Sequence, residues 1–199
     1  MVTALDSKTA LVLIDLQKGI TGMPTVHPVS DVIAKSAELV AAFRSKKLPV
    51  VVVNVNPLGA KWTLTRVEEV SPIPKDEESI KQARVAMEQG GFFDIVPEIK
   101  TAADDIFITK TTWSAFYNTA LDAELQKHGV TGIVMAGVAT SIGVEGTARD
   151  ASEKGYNLTF ATDAMTDMHM SAHEHSISLI FPRIGENGTT AEIISKLTA

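Results

Sequence analysis

The sequence predicts an α/β fold built on a mostly parallel sheet, and two observations carry that prediction. Residues 9–14 (TALVLI) and 49–53 (PVVVV) form continuous apolar runs, which are typical of strands buried on both faces of a sheet. Residues 132–168 show a strand, a tight polar turn, a helical pattern that ends at Gly155, and a second β-rich run over 156–161. That order is a βαβ unit, whose two strands must lie parallel.

The remaining elements follow from apolar periodicity, capping residues and turn residues. No composition break marks a linker, and 199 residues with 45% hydrophobic content can bury one sizeable core, so we predict a single domain over residues 1–199. We expect a helix over 30–47 with Ser30 as its N-cap, a helix within 76–88 and a strand over 105–109. A helix with Leu121 and Leu125 inward should follow and end at His128–Gly129. Beyond the βαβ unit we expect a helix over 171–181 opened by a capping box at Ser171 and Glu174, a turn over 181–188 that can include a short edge strand, and a last helix capped by Thr190.

The composition narrows the range of partners. A net charge of −6 without a clustered Lys/Arg stripe argues against nucleic acid and anionic membrane as partners. No apolar run approaches the length of a membrane helix, and the first residues lack a basic segment followed by a cleavage site. We therefore expect a cytoplasmic protein. The chain has no cysteine, which rules out both disulfides and a thiol nucleophile.

Two charged residues close predicted strands and are the first candidates for chemistry. Asp15 follows the run 9–14, and Lys110 follows the strand over 105–109. Open α/β sheets bind ligands at the carboxyl ends of their strands, so both side chains are expected at a cleft. A nearby ammonium lowers the pKa of a carboxyl group and can contact negative charge that develops on a ligand. A turn-forming role for Asp15, or a purely structural salt bridge, is the alternative.

Further residues near the strand ends are candidates for ligand contact. Aromatic side chains follow Lys110 closely enough to wall a pocket. The turn of the βαβ unit precedes a helix N-terminus, where backbone N–H groups can hold negative charge. Two positions after Asp15, an amide side chain is placed to orient that carboxylate or to contact the ligand. The predicted ligand contacts are therefore Gln17, Trp113, Phe116, Ala139, Thr140 and Ser141.

The segment 56–97 is a long crossover with several prolines and glycines, and it is the natural lid and carrier of substrate specificity. Each candidate contact in it is equally well explained as a surface charge or as ordinary packing. The candidates are Lys61, Trp62, Arg66, Arg84, Phe92 and Phe93.

Three segments together resemble the isochorismatase-like hydrolase superfamily. They are Asp15-x-Gln17 after the first strand, Lys110 with a following Ser-Ala-Phe at 114–116, and GVATSIGVEGTARDA at 137–151. The resemblance covers nearly the whole chain in the right order. It implies a three-layer, doubly wound, mostly parallel sheet of about six strands with helices on both faces. It also implies a small-molecule substrate and a homodimer or larger homo-oligomer.

One position departs from the superfamily's usual pattern. In most members an Asp, a Lys and a Cys form a triad, and the Cys attacks an amide carbonyl. Asp15 and Lys110 match this triad, whereas Gly143 stands at the position of the Cys. No thioester intermediate can form there. The hydroxyls of Thr140 and Ser141 lie nearby in sequence, but no histidine falls in the matching motifs to activate them.

The superfamily's true isochorismatases resemble this chain in carrying Gly at that position, and they cleave a vinyl ether, a reaction that needs an acid. By this resemblance Asp15 would protonate the enol-ether carbon, water would add to the oxocarbenium carbon, and Lys110 would hold Asp15 and bind substrate anion. Residues 144–150 nevertheless resemble the Cys-bearing branch more closely.

The resemblance also implies a cis peptide bond between Val138 and Ala139. The alternative function is an inactive, small-molecule-binding member, or a ligand domain in which the charged pair is structural.

The sequence implies neither a metal nor another cofactor. The metal-binding D-x-H of the nicotinamidase subgroup has no counterpart, because residues 54–56 read Asn-Val-Asn. His173 and His175 project to different faces of one predicted helix, and His169 lies ahead of its cap. We therefore expect solvated histidines rather than a metal site in this region.

Overall fold

The structure, a computed structural model, describes residues 2–64 and 74–197. Its strands are β1 (Thr9–Ile14), β2 (Val50–Val55), β3 (Ile106–Lys110), β4 (Gly132–Val138), β5 (Asn157–Thr166) and β6 (Gly185–Gly188). They form one sheet in the order β3-β2-β1-β4-β5-β6, and every neighbouring pair is parallel. The predicted α/β fold with about six strands is confirmed.

Helices connect successive strands and cover the sheet. They are α1 (Lys18–Thr21), α2 (Val29–Ser45), α3 (Glu77–Gln89), α4 (Leu121–Lys127), α5 (Glu145–Glu153), α6 (Met170–His175), α7 (Phe181–Ile184) and α8 (Thr190–Lys196). Shorter helical turns lie at Lys61–Leu64, Pro97–Ile99, Thr140–Val144 and Ser176–Ile180. Across the two described ranges, no helix has the length and hydrophobicity needed to cross a membrane.

Alternating side chains of β1 divide the core into two layers. Leu11 and Leu13 pack on one face of the sheet with residues of α2 and α8. Ala10, Val12 and Ile14 pack on the other face with residues of α4, α5 and α7. Both faces of the strand are therefore buried, which is why the sequence of β1 is continuously apolar rather than alternating.

The strand order creates a crevice at the carboxyl edge of the sheet. From β1 the chain moves outward to β2 and β3, and it then returns to place β4 on the other side of β1. The connections leaving β1 and β4 therefore diverge, and ligands bind at such a topological switch point in open α/β sheets. Asp15 directly follows β1, and Ala139 directly follows β4, so both residues lie at this crevice.

The start of α2 differs from the prediction. Pro28 occupies the N-cap position, and Ser30 lies inside the first helical turn. The Ser30 hydroxyl is 3.5 Å from Asp31 Oδ1 and caps no backbone N–H. The proline ring already restricts φ to a value close to that of a helix, so the chain enters α2 without a side-chain cap.

The predicted capping box at Ser171 and Glu174 is wrong, because α6 begins at Met170 and has no side-chain cap. A capping box does occur, at the start of α8. There Glu192 N–H donates to the Thr189 hydroxyl, and Thr189 N–H donates to the Glu192 carboxylate at 2.9 Å. The cap of the last helix is thus one residue earlier than predicted.

Strand β5 is longer than the predicted run 156–161, since it continues to Thr166. The register of the pairing between β4 and β5 shifts between Met135 and Gly137. Beyond this irregularity the two strands pair again, with Gly137 aligned with Met165. The end of this strand is buried. The extension brings residues after Thr166 to the same sheet edge as Asp15.

Candidate active site

An ion pair between Asp15 and Lys110 lies at the crevice. Lys110 Nζ is 2.8 Å from Asp15 Oδ2, and the two side chains are only 2% and 7% exposed. Strand β2 separates β1 from β3 in the sheet. The long lysine side chain therefore crosses the end of one strand to reach the carboxylate, which is why residues far apart in the sequence meet here.

Asp15 combines an uncommon backbone conformation with a buried carboxyl group. Its φ of 51° lies in the left-handed region, which Asp and Asn tolerate better than most residues. Asp15 Oδ1 is buried and has no hydrogen-bond partner among the described residues. Burial raises the pKa of Asp15 to about 6, and the attraction of Lys110 only partly opposes that rise. Lys110 lowers this pKa, as expected, but desolvation outweighs the ion pair and the net shift is upward.

Lys110 has capacity for one more contact. Its ammonium donates to the Thr112 carbonyl oxygen at 3.0 Å in addition to its contact with Asp15. An ammonium group has three N–H donors. Because Lys110 also lines the pocket described below, its third N–H is available to a ligand or to water.

The missing side chain of Gly143 leaves space beside this pair. A Cβ atom built at Gly143 would lie 3.2 Å from Asp15 Oδ2 and 3.4 Å from Lys110 Nζ. A side chain at this position would therefore point at both charged groups. The same Cβ would lie 2.8 Å from Ile14 Cγ2, so even a methyl group requires Ile14 to move.

Thr140, predicted as a ligand contact, instead holds the turn after β4 in place. Its buried hydroxyl is 3.0 Å from the Thr166 carbonyl oxygen and 2.8 Å from His173 Nδ1. The hydroxyl has one proton, so both contacts are satisfied when it donates to Thr166 and accepts from His173 Nδ1–H. His173 is 6% exposed, which corrects the expectation of a solvated histidine. Burial and the nearby His27 keep the pKa of His173 below its ordinary value.

Of the other two residues of this turn, Ser141 supports the local structure and Ala139 lines the pocket described below. Ser141 N–H donates to Asp167 Oδ2 at 2.8 Å, and Ser141 does not line the pocket, contrary to the prediction. Ala139 does line it. The peptide bond between Val138 and Ala139 is cis, as the superfamily resemblance implied.

Gln17 and Phe116 also differ from their predicted roles. The Gln17 amide accepts from Val55 N–H at 2.7 Å and donates to the carbonyl oxygens of Val55 and Phe92. Its hydrogen bonds therefore join the ends of β1 and β2 to the crossover. Phe116 packs in the core and stacks on Tyr156. Neither side chain lines the pocket, because backbone groups and core residues already occupy their contacts.

The pocket above the ion pair, which we call the inner pocket, has a volume of about 250 Å³. The carboxyl ends of five strands contribute to it, and apolar side chains from the connecting loops form most of its walls. The strand-end residues are Asp15, Val55, Lys110, Val138 and Met168; the others are Ile20, Met23, Pro57, Trp62, Thr112, Trp113, Ala139, Ile142 and Gly143. Met168 is not among the predicted contacts, because the predicted strand run 156–161 ends too early, and no local sequence pattern indicates Ile20 or Met23.

The crossover contributes to the site at its beginning. Trp62 lines the inner pocket, and its Nε1–H donates to the Thr111 carbonyl oxygen at 2.6 Å. Lys61 lines a neighbouring cavity instead, and Arg84 is exposed on α3. Phe92 and Phe93 pack edge to face outside the inner pocket. Arg66, the remaining candidate, lies outside the described residues.

Comparisons with known proteins show which family the chain belongs to. A family model for the isochorismatase domain matches residues 9–192. The uncharacterised isochorismatase family protein YwoC of Bacillus subtilis is 37% identical over 190 residues, which are 96% of this chain and 94% of that protein. The solved structure of an isochorismatase family protein from Burkholderia thailandensis has 35% identity and a TM-score of 0.84, with 99% of both chains covered.

A more distant relative has a named activity. The ureidoacrylate amidohydrolase RutB of Variovorax paradoxus is 28% identical over 181 residues, which are 81% of this chain and 70% of that protein. The family model spans all six strands of the sheet, and the relatives of higher identity match over nearly their full length. The chain therefore belongs to the isochorismatase family and is a hydrolase of that family.

Proposed function

We propose that this hydrolase cleaves a vinyl ether in a small molecule without a covalent intermediate, with Asp15 as the general acid. The observation that carries the proposal is the state of Asp15: a buried carboxyl group with a pKa of about 6, beside a position that has no nucleophilic side chain. A pKa near the working pH suits a group that must donate a proton and then recover it.

Amide hydrolysis, the activity named for the relative RutB, has less support in this chain. The chain has no cysteine at any of its 199 positions. The Thr140 hydroxyl is buried and already contacts Thr166 and His173, and Ser141 lies outside the inner pocket. No activated nucleophile therefore faces the inner pocket from the described residues, and a covalent acyl intermediate lacks an attacking group.

The proposed reaction needs only an acid and water. Asp15 transfers its proton to the terminal carbon of the vinyl ether, which becomes a methyl group and leaves an oxocarbenium ion. Water adds to the oxocarbenium carbon and returns one proton to the Asp15 carboxylate. The resulting hemiketal collapses to a ketone and an alcohol. The net change is the addition of one water molecule across the ether.

Lys110 and Gly143 assist in different ways under this proposal. Lys110 holds the Asp15 carboxylate through its 2.8 Å contact, and its third N–H can bind an anionic group of the substrate. The space left by the absent Gly143 side chain is adjacent to Asp15 Oδ2 and Lys110 Nζ. A water molecule or a substrate atom in that space can hydrogen-bond to both groups. The glycine therefore contributes room rather than chemistry.

The proposal predicts a pH profile for the native protein. Only the protonated form of Asp15 can act as the acid, so kcat/KM should fall about tenfold per pH unit as pH rises well above the pKa of about 6. The measurement is the release of ketone from an enolpyruvyl ether across the neutral pH range, corrected for the spontaneous acid-catalysed reaction. In heavy-oxygen water, label should enter the ketone and not the alcohol. Ketone release that rises with pH, or label in the alcohol, would contradict the mechanism.

A second prediction concerns the space at Gly143. Gly143→Cys places a thiol beside the Lys110 ammonium, which favours the thiolate, so the thiol pKa should fall below the ordinary value of about 8.5. The chain has no other cysteine, so the pH dependence of alkylation reports on this thiol alone. Ser195→Cys, on the exposed face of α8, is the matched control and should keep an ordinary thiol pKa.

The same variant tests the reaction type. We expect Gly143→Cys to gain reactivity with activated amides or esters and to lose vinyl-ether hydrolysis, since its Cβ fills the space beside Asp15 and displaces Ile14. A native protein that already hydrolyses amides, and keeps doing so in Asp15→Ala, would contradict the proposed function. An absence of turnover with a panel of vinyl ethers would favour the alternative of an inactive, ligand-binding member.

A further inference from the structure

A separate cavity lies between α2, β5 and α6, and it shares no lining residue with the inner pocket. We call it the α2 cavity. Its volume is about 420 Å³, which is within the usual range of small-molecule sites, about 300–1,000 Å³. Nothing in the proposed reaction uses this space. Its lining includes His27, Asp31, Val32, Asp163, Met165 and His173.

His173 is the buried imidazole of the α2 cavity, and its hydrogen bonds determine which ring nitrogen carries the proton. The Thr140 hydroxyl gives its proton to the Thr166 carbonyl oxygen, so its 2.8 Å contact with His173 Nδ1 requires a proton on Nδ1. Burial and the nearby His27 keep the pKa of His173 below its ordinary value, which favours the neutral ring. A neutral imidazole has one ring proton. Nε2 of His173 is therefore an unprotonated acceptor.

This Nε2 atom faces the α2 cavity. It has no hydrogen-bond partner within residues 2–64 and 74–197, yet it is not one of the fully buried unpaired atoms of those ranges. It must therefore reach an open surface, and the surface that His173 lines is the α2 cavity. A buried acceptor in this position needs a donor from a ligand or from water.

Two carboxylates line the same cavity. Asp163 Oδ1 accepts from the N–H of Thr190 at 2.7 Å and from its hydroxyl at 2.9 Å, whereas Asp163 Oδ2 makes no hydrogen bond with the described residues. Asp31, in the first turn of α2, is exposed. Lys35 also lines the cavity, but its ammonium is paired with Glu38 at 2.8 Å. The two aspartates therefore leave the cavity with a negative charge and with free acceptor oxygens.

The remaining lining is apolar or aromatic. Pro28, Val32 and Met165 contribute apolar surface, and the His27 ring packs against that of His173 with their centroids 4.8 Å apart. Within the part of the chain that the structure describes, no group of three metal-ligating side chains is placed to hold a metal ion. The cavity therefore suits an organic cation with an apolar body better than a bare metal ion.

We propose that the α2 cavity is a second ligand site, separate from the active site, and that it takes a primary ammonium ion on a short hydrocarbon chain. The ammonium donates to His173 Nε2, and the carboxylates of Asp163 and Asp31 balance its charge. The hydrocarbon chain lies against Val32 and Met165. An ammonium group has three N–H donors and no acceptor, which matches a wall of acceptors. The site does not depend on the reaction proposed for the inner pocket.

Nitrogen NMR of the histidine rings tests the acceptor directly. The chain has five histidines, and the spectrum of His173→Asn identifies the signals of His173. At neutral pH the His173 ring should carry its proton on Nδ1 alone. Butylammonium chloride should shift the Nε2 resonance until the site is saturated, whereas 1-butanol, an uncharged probe of the same shape, and sodium butyrate should leave it unchanged. A proton on Nε2 in the free protein, or an equal response to all three probes, overturns the proposal.

Two substitutions test the two kinds of contact, with butylammonium affinity measured by saturation-transfer NMR. Asp163→Asn keeps the oxygen that accepts from Thr190 and removes the negative charge. It should weaken binding about 3- to 10-fold, between the values for an exposed ion pair and for a buried hydrogen bond to a charged group. His173→Asn keeps an N–H near the position of Nδ1 for the Thr140 hydroxyl and removes the Nε2 acceptor. It should weaken binding about 2- to 10-fold, as expected for the loss of one hydrogen bond.

Asp104→Asn is the matched control, because Asp104 is exposed in the turn before β3, at the far edge of the sheet, and its replacement removes the same charge. This variant should bind butylammonium like the native protein. Asp15→Asn should also keep the native affinity, since Asp15 lines the inner pocket and not the α2 cavity. Loss of binding in Asp15→Asn would place the ammonium in the active site and overturn the proposal. Equal affinity in Asp163→Asn and Asp104→Asn overturns it as well, whether or not the protein hydrolyses a vinyl ether.

Discussion

Asp15→Asn should lower kcat/KM for vinyl-ether hydrolysis about 10²–10⁴-fold, the usual cost of removing a positioned general acid. Asparagine preserves the shape of the side chain and tolerates the left-handed backbone at φ 51°, so the variant is expected to fold normally. Its amide oxygen can still accept from Lys110, whereas it has no acidic proton to give. The loss should appear in kcat at saturating substrate, with circular dichroism and thermal unfolding confirming the fold.

Asp105→Asn is the matched control for this change. Asp105 is also a buried carboxylate in an ion pair, with Arg44 Nη2 at 2.6 Å, but it precedes β3 at the opposite edge of the sheet. Its replacement should leave the activity per folded molecule within about twofold of the native value, because it removes a structural and not a reacting carboxyl group. Full activity of Asp15→Asn would exclude Asp15 as the acid.

Lys110→Met should destabilise the protein by about 3–5 kcal/mol at pH values above the new pKa of Asp15, since it leaves the buried carboxylate of Asp15 without its partner. Methionine has a similar length and no charge, so packing is largely preserved. Burial already holds the pKa of Asp15 at about 6, and loss of the ammonium removes the main influence that lowers it. The pKa should therefore rise further, and Asp15 should take up a proton in the folded variant.

The pH dependence of this destabilisation has a defined sign. When the pKa of a group is higher in the folded state than in the unfolded state, the group stabilises the fold at low pH. That contribution is lost as pH rises from the unfolded-state pKa through the folded-state pKa. The cost of Lys110→Met should thus be smallest in mild acid, where Asp15 is protonated, and largest above the new pKa. Guanidinium unfolding at several pH values measures it. Lys127→Met, at a side chain that is 70% exposed, should change stability by less than about 1 kcal/mol at any pH. A pH-independent cost would show that the pair matters only through packing.

Much of the fold could be predicted because local sequence patterns, such as apolar runs and helix-ending glycines, indicate its strands and helices. The bounds of β1 match the run 9–14, since burial on both faces makes every residue of a central strand apolar. Gly129 and Gly155 follow the helices they were predicted to end, and both have positive φ. The errors fall at caps and strand ends. Ser171 and Glu174 have the spacing of a capping box, but the helix begins one residue earlier and uses no side-chain cap.

The candidate site could be predicted only in part. That Asp15 and Lys110 approach each other follows from their positions at the carboxyl ends of strands in a parallel sheet. The absence of a thiol follows from composition alone. The predicted ligand contacts Gln17 and Phe116 lie near Asp15 and Lys110 in the sequence, and Thr140 lies in the turn before a helix N-terminus. Each of them turns instead toward backbone groups or core residues.

The class of fold, the family, the two charged residues of the crevice and the impossibility of thiol chemistry all follow from the amino-acid sequence, because each depends on residue identity and local order. The raised pKa of Asp15, the burial of His173 and the position of Trp62 and Trp113 between two cavities arise only in the folded chain. These properties depend on how much water and which distant side chains surround a group. Desolvation and pairing act through space, so segments far apart in the chain must be assembled before either can be assessed.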